Sequence, residues 1–117
     1  MFIRSFQELI IWQKSHHFVL KIYNLTNQFP SHEQFGLTNQ IRRSVSSIPA
    51  NIVEGYKKTT KEFLRFLKIA EGSLEETKYH LILSKDLNYC SQEDFDQLLL
   101  LADEIGRMLN SLIRKLK

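Results

Sequence analysis

Apolar residues recur at three- and four-residue spacing along four stretches of the chain, the period of a helix with one buried face. In the first stretch Leu9, Trp12, Val19 and Tyr23 form one stripe, and Ile11, Phe18, Ile22, Leu25 and Phe29 form a second beside it. The third carries Phe63, Leu67, Ala70, Leu74 and Leu81, and the fourth Phe95, Leu98, Ala102, Ile105, Leu109, Leu112 and Leu116. Each stretch opens on a hydroxyl residue with an acid or amide three positions later: Ser5–Glu8, Ser31–Gln34, Thr59–Glu62 and, with aspartate, Ser91–Asp94. That is the capping box, which satisfies backbone N–H groups at a helix start. The pattern predicts helices over about 6–28, 32–56, 60–87 and 92–116 within a single domain, 1–117. Phe29-Pro30, Lys57-Lys58 and Asn88-Tyr89-Cys90 become the turns. Four helices of similar length with short turns make an all-α, up-down-up-down antiparallel four-helix bundle.

Two details go beyond a minimal bundle. The double stripe of the first helix is wider than one core face requires, so it serves either a broad core around Trp12 or a subunit interface. The second helix contains RRSVSSIPANIVEG, residues 42–55. An interior proline costs a helix about 3 kcal/mol. The expectation is a kink at Pro49, with a clean break as the alternative and serine hydroxyls bonding the carbonyl that proline leaves free. In an antiparallel pair, residues at one height have a constant index sum. Ser46 and Ser47 then lie level with Gly72 and Ser73, and Gly72 with Gly106. This predicts a waist where backbones approach closely and Trp12 fills the space left over.

The second helix also repeats Gln40, Arg43, Ser47, Asn51 and Glu54 at near-helical spacing. By the same geometry Arg43 lies near Glu76, and Glu54 near Lys61 and Arg65. These residues read as a structural polar network that sets helix register, with an oligomer contact or a ligand site as the alternatives.

Composition narrows the functional classes. Of 117 residues, 43% are hydrophobic and 25% charged, ordinary for a soluble domain. A single cysteine, Cys90, rules out an internal disulfide and a cysteine-rich zinc site. Arg4 and Glu8 interrupt the short apolar start, so no signal peptide is expected, and no apolar run is long enough for a membrane span. The expected location is cytoplasmic, without membrane association.

Catalytic constellations are missing from the sequence. A di-iron bundle needs two Glu-x-x-His motifs; Glu76 and His80 are one residue too far apart and have no twin. His16 and His17 are adjacent and project in different directions. His32 reads as a surface residue at a helix start. Cys90 has no histidine partner, and there is no phosphate-cradling glycine loop. The expectation is no enzymatic activity, no metal and no cofactor.

Charge is more informative, although the net value of +3 decides nothing by itself. Up-down topology gathers Arg4, Lys57, Lys58, Lys61, Arg65, Arg114, Lys115 and Lys117 at one end, against Glu8, Glu54 and Glu62. The other end collects Glu33, Asp86, Glu93, Asp94 and Asp96. Helix dipoles favour cations at C-termini and anions at N-termini, which accounts for most of this asymmetry. They do not account for Lys61 and Arg65, which sit at a helix start. The basic end is therefore either a solvated face or a site for RNA or DNA backbones.

The segments FQELIIWQKS, FPSHEQFGLTNQIRRSVSSIPANIVEGYKK and EFLRFLKIAEGSLEET occur in this order and cover most of the chain. With them the sequence resembles the four-helix-bundle proteins encoded by intervening sequences of bacterial 23S rRNA genes. QIRRSVSSIPANIVEG is the most specific segment, and the fourth helix lacks a diagnostic motif. The resemblance implies a small cytoplasmic bundle, often a homopentamer, without enzymatic activity. The family is similar to the accessory protein of diversity-generating retroelements, a basic pentameric bundle that binds nucleic acid and a reverse transcriptase. A reverse-transcriptase-like protein is thus an implied partner. The alternative reading is a protein–protein interaction scaffold that binds no nucleic acid.

Overall fold

The computed structural model describes residues 5–117. After a 3-10 turn at Phe6–Glu8 come α1 (Ile10–Thr26), a second 3-10 turn at Ser31–Glu33, α2 (Leu37–Gly55), α3 (Thr60–Asp86) and α4 (Gln92–Leu116). Each helix packs on its sequence neighbours, and α1 closes the ring against α4. The pairs that meet run in opposite senses. Ser44 bonds Thr77 and Ser47 bonds Ser73 across α2 and α3. Lys78 reaches Asp103 across α3 and α4, while Leu74 lies against Gly106. In each case the number rises on one helix as it falls on the other, as antiparallel packing requires. The molecule measures 44 × 24 × 21 Å, and α3 alone spans about 40 Å of that length.

The core is the second α1 stripe with the inward faces of the other helices. Ile11, Phe18, Ile22, Leu25 and Phe29 are buried with Ile41, Val45, Ile48, Ile52, Leu67, Leu74, Leu81, Ile105 and Leu109. Burying each such side chain contributes about 1.5–3 kcal/mol. The other α1 stripe borders the core. Leu9, Trp12 and Val19 are half-buried, while Tyr23 is exposed.

Two capping boxes form as the sequence predicts. Thr59 Oγ1 accepts from Glu62 N at 3.2 Å, and Ser91 Oγ accepts from Asp94 N at 3.0 Å. The other two mark 3-10 turns. Ser5 Oγ accepts from Gln7 N, and α1 starts only at Ile10. Ser31 begins the second turn, and α2 starts after Gly36 with the Glu33 carboxylate accepting from Leu37 N at 3.0 Å. A hydroxyl–acid pair fits the first turn of either helix type, so the motif located the turns and misplaced the α-helix starts. The α3–α4 turn closes through Asn88, whose φ of 63° is left-handed, with bonds from Asn88 N to Lys85 O and Tyr89 N to Ser84 O. This is a Schellman motif with asparagine in the place glycine usually takes.

The clean break that Pro49 allowed does not occur: α2 runs unbroken from Leu37 to Gly55 with Pro49 buried inside it. The serine hydroxyls bond other carbonyls than the freed one. Ser44 Oγ donates to Ile41 O, and Ser46 Oγ reaches Arg42 O and Arg43 O. The packing of Ile48, Pro49 and Ile52 into the core offsets what the proline costs.

The waist also needs correction. Ser47 and Ser73 are level and bonded at 2.9 Å, and Gly72 and Gly106 line one groove. Yet a Cβ on Gly72 would have nothing within 4 Å. Trp12 does not fill this layer, because its ring meets Phe6 edge-on at 5.0 Å and stacks on His16 at 4.9 Å. The close approach lies at Gly55 instead, where a Cβ would come within 2.8 Å of Phe66 Cβ and 2.9 Å of Phe63 Cδ1.

Candidate nucleic-acid interface

The end of α2, the turn after it, the start of α3 and the end of α4 meet at one pole of the bundle. Gly55 allows this by letting Phe63 and Phe66 lie directly on the last turn of α2. Tyr56 follows and meets the ring of Phe6 at 6.2 Å, bringing in the segment before α1. Lys57 and Lys58 stand in the turn, Lys61 and Arg65 on the first turns of α3, and Arg114, Lys115 and Lys117 at the end of α4. All seven are exposed. Arg4, the eighth predicted cation, lies outside the described residues.

Several of these cations rest on aromatic rings. Arg65 Cζ is 4.8 Å and Lys58 Nζ 6.0 Å from the Phe66 centroid, and Lys57 Nζ is 5.7 Å from that of Tyr56. None of the seven makes an ion pair among the described residues. Three lysines nearer the middle and the acidic pole are paired. Lys14 pairs with Glu104 at 3.2 Å, Lys78 with Asp103 at 3.0 Å and Glu75 at 3.5 Å, and Lys85 with Asp86 at 3.8 Å. Burial opposes the Lys78 charge, but the bond to Asp103 and the negative charges of Glu75 and Asp103 outweigh it and raise its pKa.

Neither Glu62 nor Glu54 forms an ion pair with these cations among the described residues. Glu62 is held by the Thr59 hydroxyl, which donates to it at 2.8 Å. Glu54 is exposed and, among the described residues, pairs with neither Lys61 nor Arg65, so that expected contact does not form.

The polar network forms with changed membership. Asn51 donates to Ser47 O at 2.7 Å and Ser47 Oγ at 2.9 Å, and Ser47 Oγ accepts from Ser73. The Ser44–Thr77 bond of 2.8 Å lies beneath. Gln40, Arg43 and Glu76 line the cleft above this seam. Arg43 and Glu76 share it without an ion pair, and the Glu76 carboxylate lies 3.1 Å from His80 Nε2 on its own helix. The register contact missed by sequence is Arg42. Its Nε donates to Thr26 Oγ1 at 2.8 Å and its Nη2 to Asn27 Oδ1 at 3.1 Å, while the guanidinium covers Tyr23 at 4.5 Å. Adjacent arginines in a sequence give no sign of which one turns inward.

At the opposite pole Glu33 joins three elements. Its carboxylate accepts from Leu37 N and, at 2.8 Å, from the Tyr89 hydroxyl. The Leu37 bond first, then the Tyr89 bond, lower its pKa against the opposing effect of burial. Burial, and after it Asp94, raise the Cys90 thiol, the reverse of what activates a nucleophile. Among the described residues no group of three or more His, Cys, Asp or Glu side chains is placed to hold a metal ion. No described helix is long and apolar enough to cross a membrane.

The model of the 23S rRNA-intervening sequence protein family matches residues 7–111. The chain belongs to this family. It is also similar to a crystal structure of a protein of unknown function, from the S23 ribosomal protein family of Bacteroides thetaiotaomicron VPI-5482. The two are 31% identical with a TM-score of 0.83, over 90% of this chain and 96% of the other. No curated protein matches the chain. Family membership and the four-helix fold thus agree with what the motifs of α1, α2 and α3 imply.

Proposed function

We propose that this member of the 23S rRNA-intervening sequence family is a non-enzymatic, homo-oligomeric bundle that binds RNA or DNA backbones through its basic pole. The observation that carries the reading is the set of seven exposed cations, Lys57, Lys58, Lys61, Arg65, Arg114, Lys115 and Lys117, without ion pairs among the described residues. The helix dipole accounts for cations at the ends of α2 and α4. It disfavours Lys61 in the first turn of α3 and does not account for Arg65 one turn on, and an anionic partner matches both. Unpaired surface cations release the counterions of each phosphate they neutralise, without reading base sequence.

The exposed side of α1 supports oligomerisation. Ile10 at its start is 56% exposed, and Leu20 and Tyr23, one turn apart towards its end, are 55% and 41% exposed. The number five comes from the family resemblance. A monomeric mass by light scattering at micromolar concentration would remove oligomerisation from the proposal.

The test of binding is the double variant Lys61→Glu, Arg65→Glu, compared with the parent protein on a mixed-sequence RNA and a DNA duplex. Binding weakens on both and the salt dependence becomes shallower. Asp94→Lys, which adds positive charge at the far pole, serves as the control and leaves binding in place. If the double variant binds as well as the parent, the basic pole is a solvated face. The α1 stripe and a protein scaffold then become the better reading.

A further inference from the structure

Gly72 and Gly106 floor an open groove between α3 and α4 with a volume of about 690 Å³. Two of its rim residues, Lys68 on α3 and Arg107 on α4, are exposed cations without an ion pair among the described residues. Neither belongs to the basic pole as read from the sequence. Both continue it, because Lys68 lies two helical turns beyond Lys61 on the same face, and Arg107 two turns before Arg114.

The antiparallel register interleaves these side chains. With Lys78 opposite Asp103 and Leu74 opposite Gly106, the order along the groove is Arg107, Lys68, Arg114, Arg65, Lys117 and Lys61. At 1.5 Å per residue this band is roughly 20 Å long. Lys78 ties up Asp103 and Glu75 beyond the upper end of the band, and Glu71, between Arg107 and Lys68, is the carboxylate that lines the groove within it. The groove is therefore closed by an ion-pair cluster at one end and opens at the other onto the basic pole.

We infer that this groove is the track for a single strand of RNA or DNA, its phosphates laid along the α3–α4 cations. The inference rests on the nucleic-acid reading of the basic pole and extends it. One extended backbone lies along the channel that the missing Gly72 side chain leaves open between the cationic rims, whereas a duplex rides on the rims alone. Gly72 then has a role that packing does not supply. A Cβ on Gly72 would meet nothing within 4 Å, so close packing does not require glycine there, and what its missing side chain leaves open is the groove.

The groove is tested with two variants, Gly72→Leu and Lys68→Glu, Arg107→Glu, on a mixed-sequence single-stranded RNA and on a DNA duplex. Thermal melts confirm the fold, since neither change meets a packed neighbour at Gly72 or breaks an ion pair. Gly72→Leu weakens single-strand binding and leaves duplex binding nearly unchanged, which a residue of merely structural role would not do. The charge reversal makes the single-strand slope of log K against log salt shallower by about 1.4, for two lost phosphate contacts. Unchanged single-strand affinity in both variants, with Lys61→Glu, Arg65→Glu still weakening binding, overturns the groove and leaves the basic pole standing. Failure of the parent protein to bind either nucleic acid overturns both.

Discussion

The two sides of α3 use small residues in opposite ways. Toward α2 the helices are locked together, with Ser47 bonded to Ser73, Ser44 to Thr77, and Gly55 pressed against Phe63 and Phe66. Toward α4 the surface opens over Gly72, and a Cβ on Gly106 would meet only Leu74 Cδ2 at 3.3 Å. A small residue in a helix is therefore either a point of contact or a deliberate gap. What decides is the neighbour across the interface. Phe63 and Phe66 fill the space beside Gly55, while nothing reaches Gly72.

The largest effect that tests this contrast is at Gly55. Gly55→Leu forces a side chain into space held by Phe66 Cβ, which cannot swing away as the end of a flexible chain would. Overpacking of this kind costs about 1–3 kcal/mol, read as a lower denaturant midpoint. A neutral result would mean that α2 and α3 are not in close contact at the basic pole. At Gly72 the sign reverses. Gly72→Ala relieves the helix of an exposed interior glycine and stabilises by about 0.5–1 kcal/mol. If it destabilises instead, Gly72 is packed and the groove is closed.

The smallest effect concerns the acidic pole, where a carboxylate holds the elements together as the hydroxyls do in the α2–α3 seam. The pKa of Glu33 is lowered from its ordinary 4.5 by the bonds from Leu37 N and Tyr89. Its contribution is therefore present above that value and is lost as pH falls through the lower folded one. Glu33→Gln flattens the acid side of the stability profile and leaves the fold unchanged. An identical acid limb in parent and variant would remove Glu33 as the clasp between the α1–α2 connection and the α3–α4 turn.

These contrasts also explain what the sequence conveyed and what it withheld. Helical spacing marked the buried positions of α3 and α4 because 3.6 residues per turn leaves one face inside. Thr59 and Ser91 marked true helix starts, whereas Ser5 capped a 3-10 turn through Gln7 N and Ser31 lies in a second such turn without a side-chain cap bond. The antiparallel register was legible too, since Ser47 faces Ser73 as its position implied. Distances between helices were not legible, so Gly72 was placed in a tight waist that is an open groove. The basic pole could be assembled from topology, but Lys68 and Arg107 escaped notice because each lies in mid-helix, far from any terminus. They join the pole only once α3 and α4 stand side by side. Seven-residue spacing from Lys61 and Arg114 was the one signal available.

The central claim is that unpaired cations, left free on purpose by the packing, hold a nucleic-acid backbone. Its most direct test is the affinity of the parent protein for a mixed-sequence single-stranded RNA, measured across a series of salt concentrations. About four phosphates of one extended strand fit along the α3–α4 cations and give a straight line of log K against log salt with a slope of about −3. Binding that is absent at low salt, or that does not change with salt, contradicts the account.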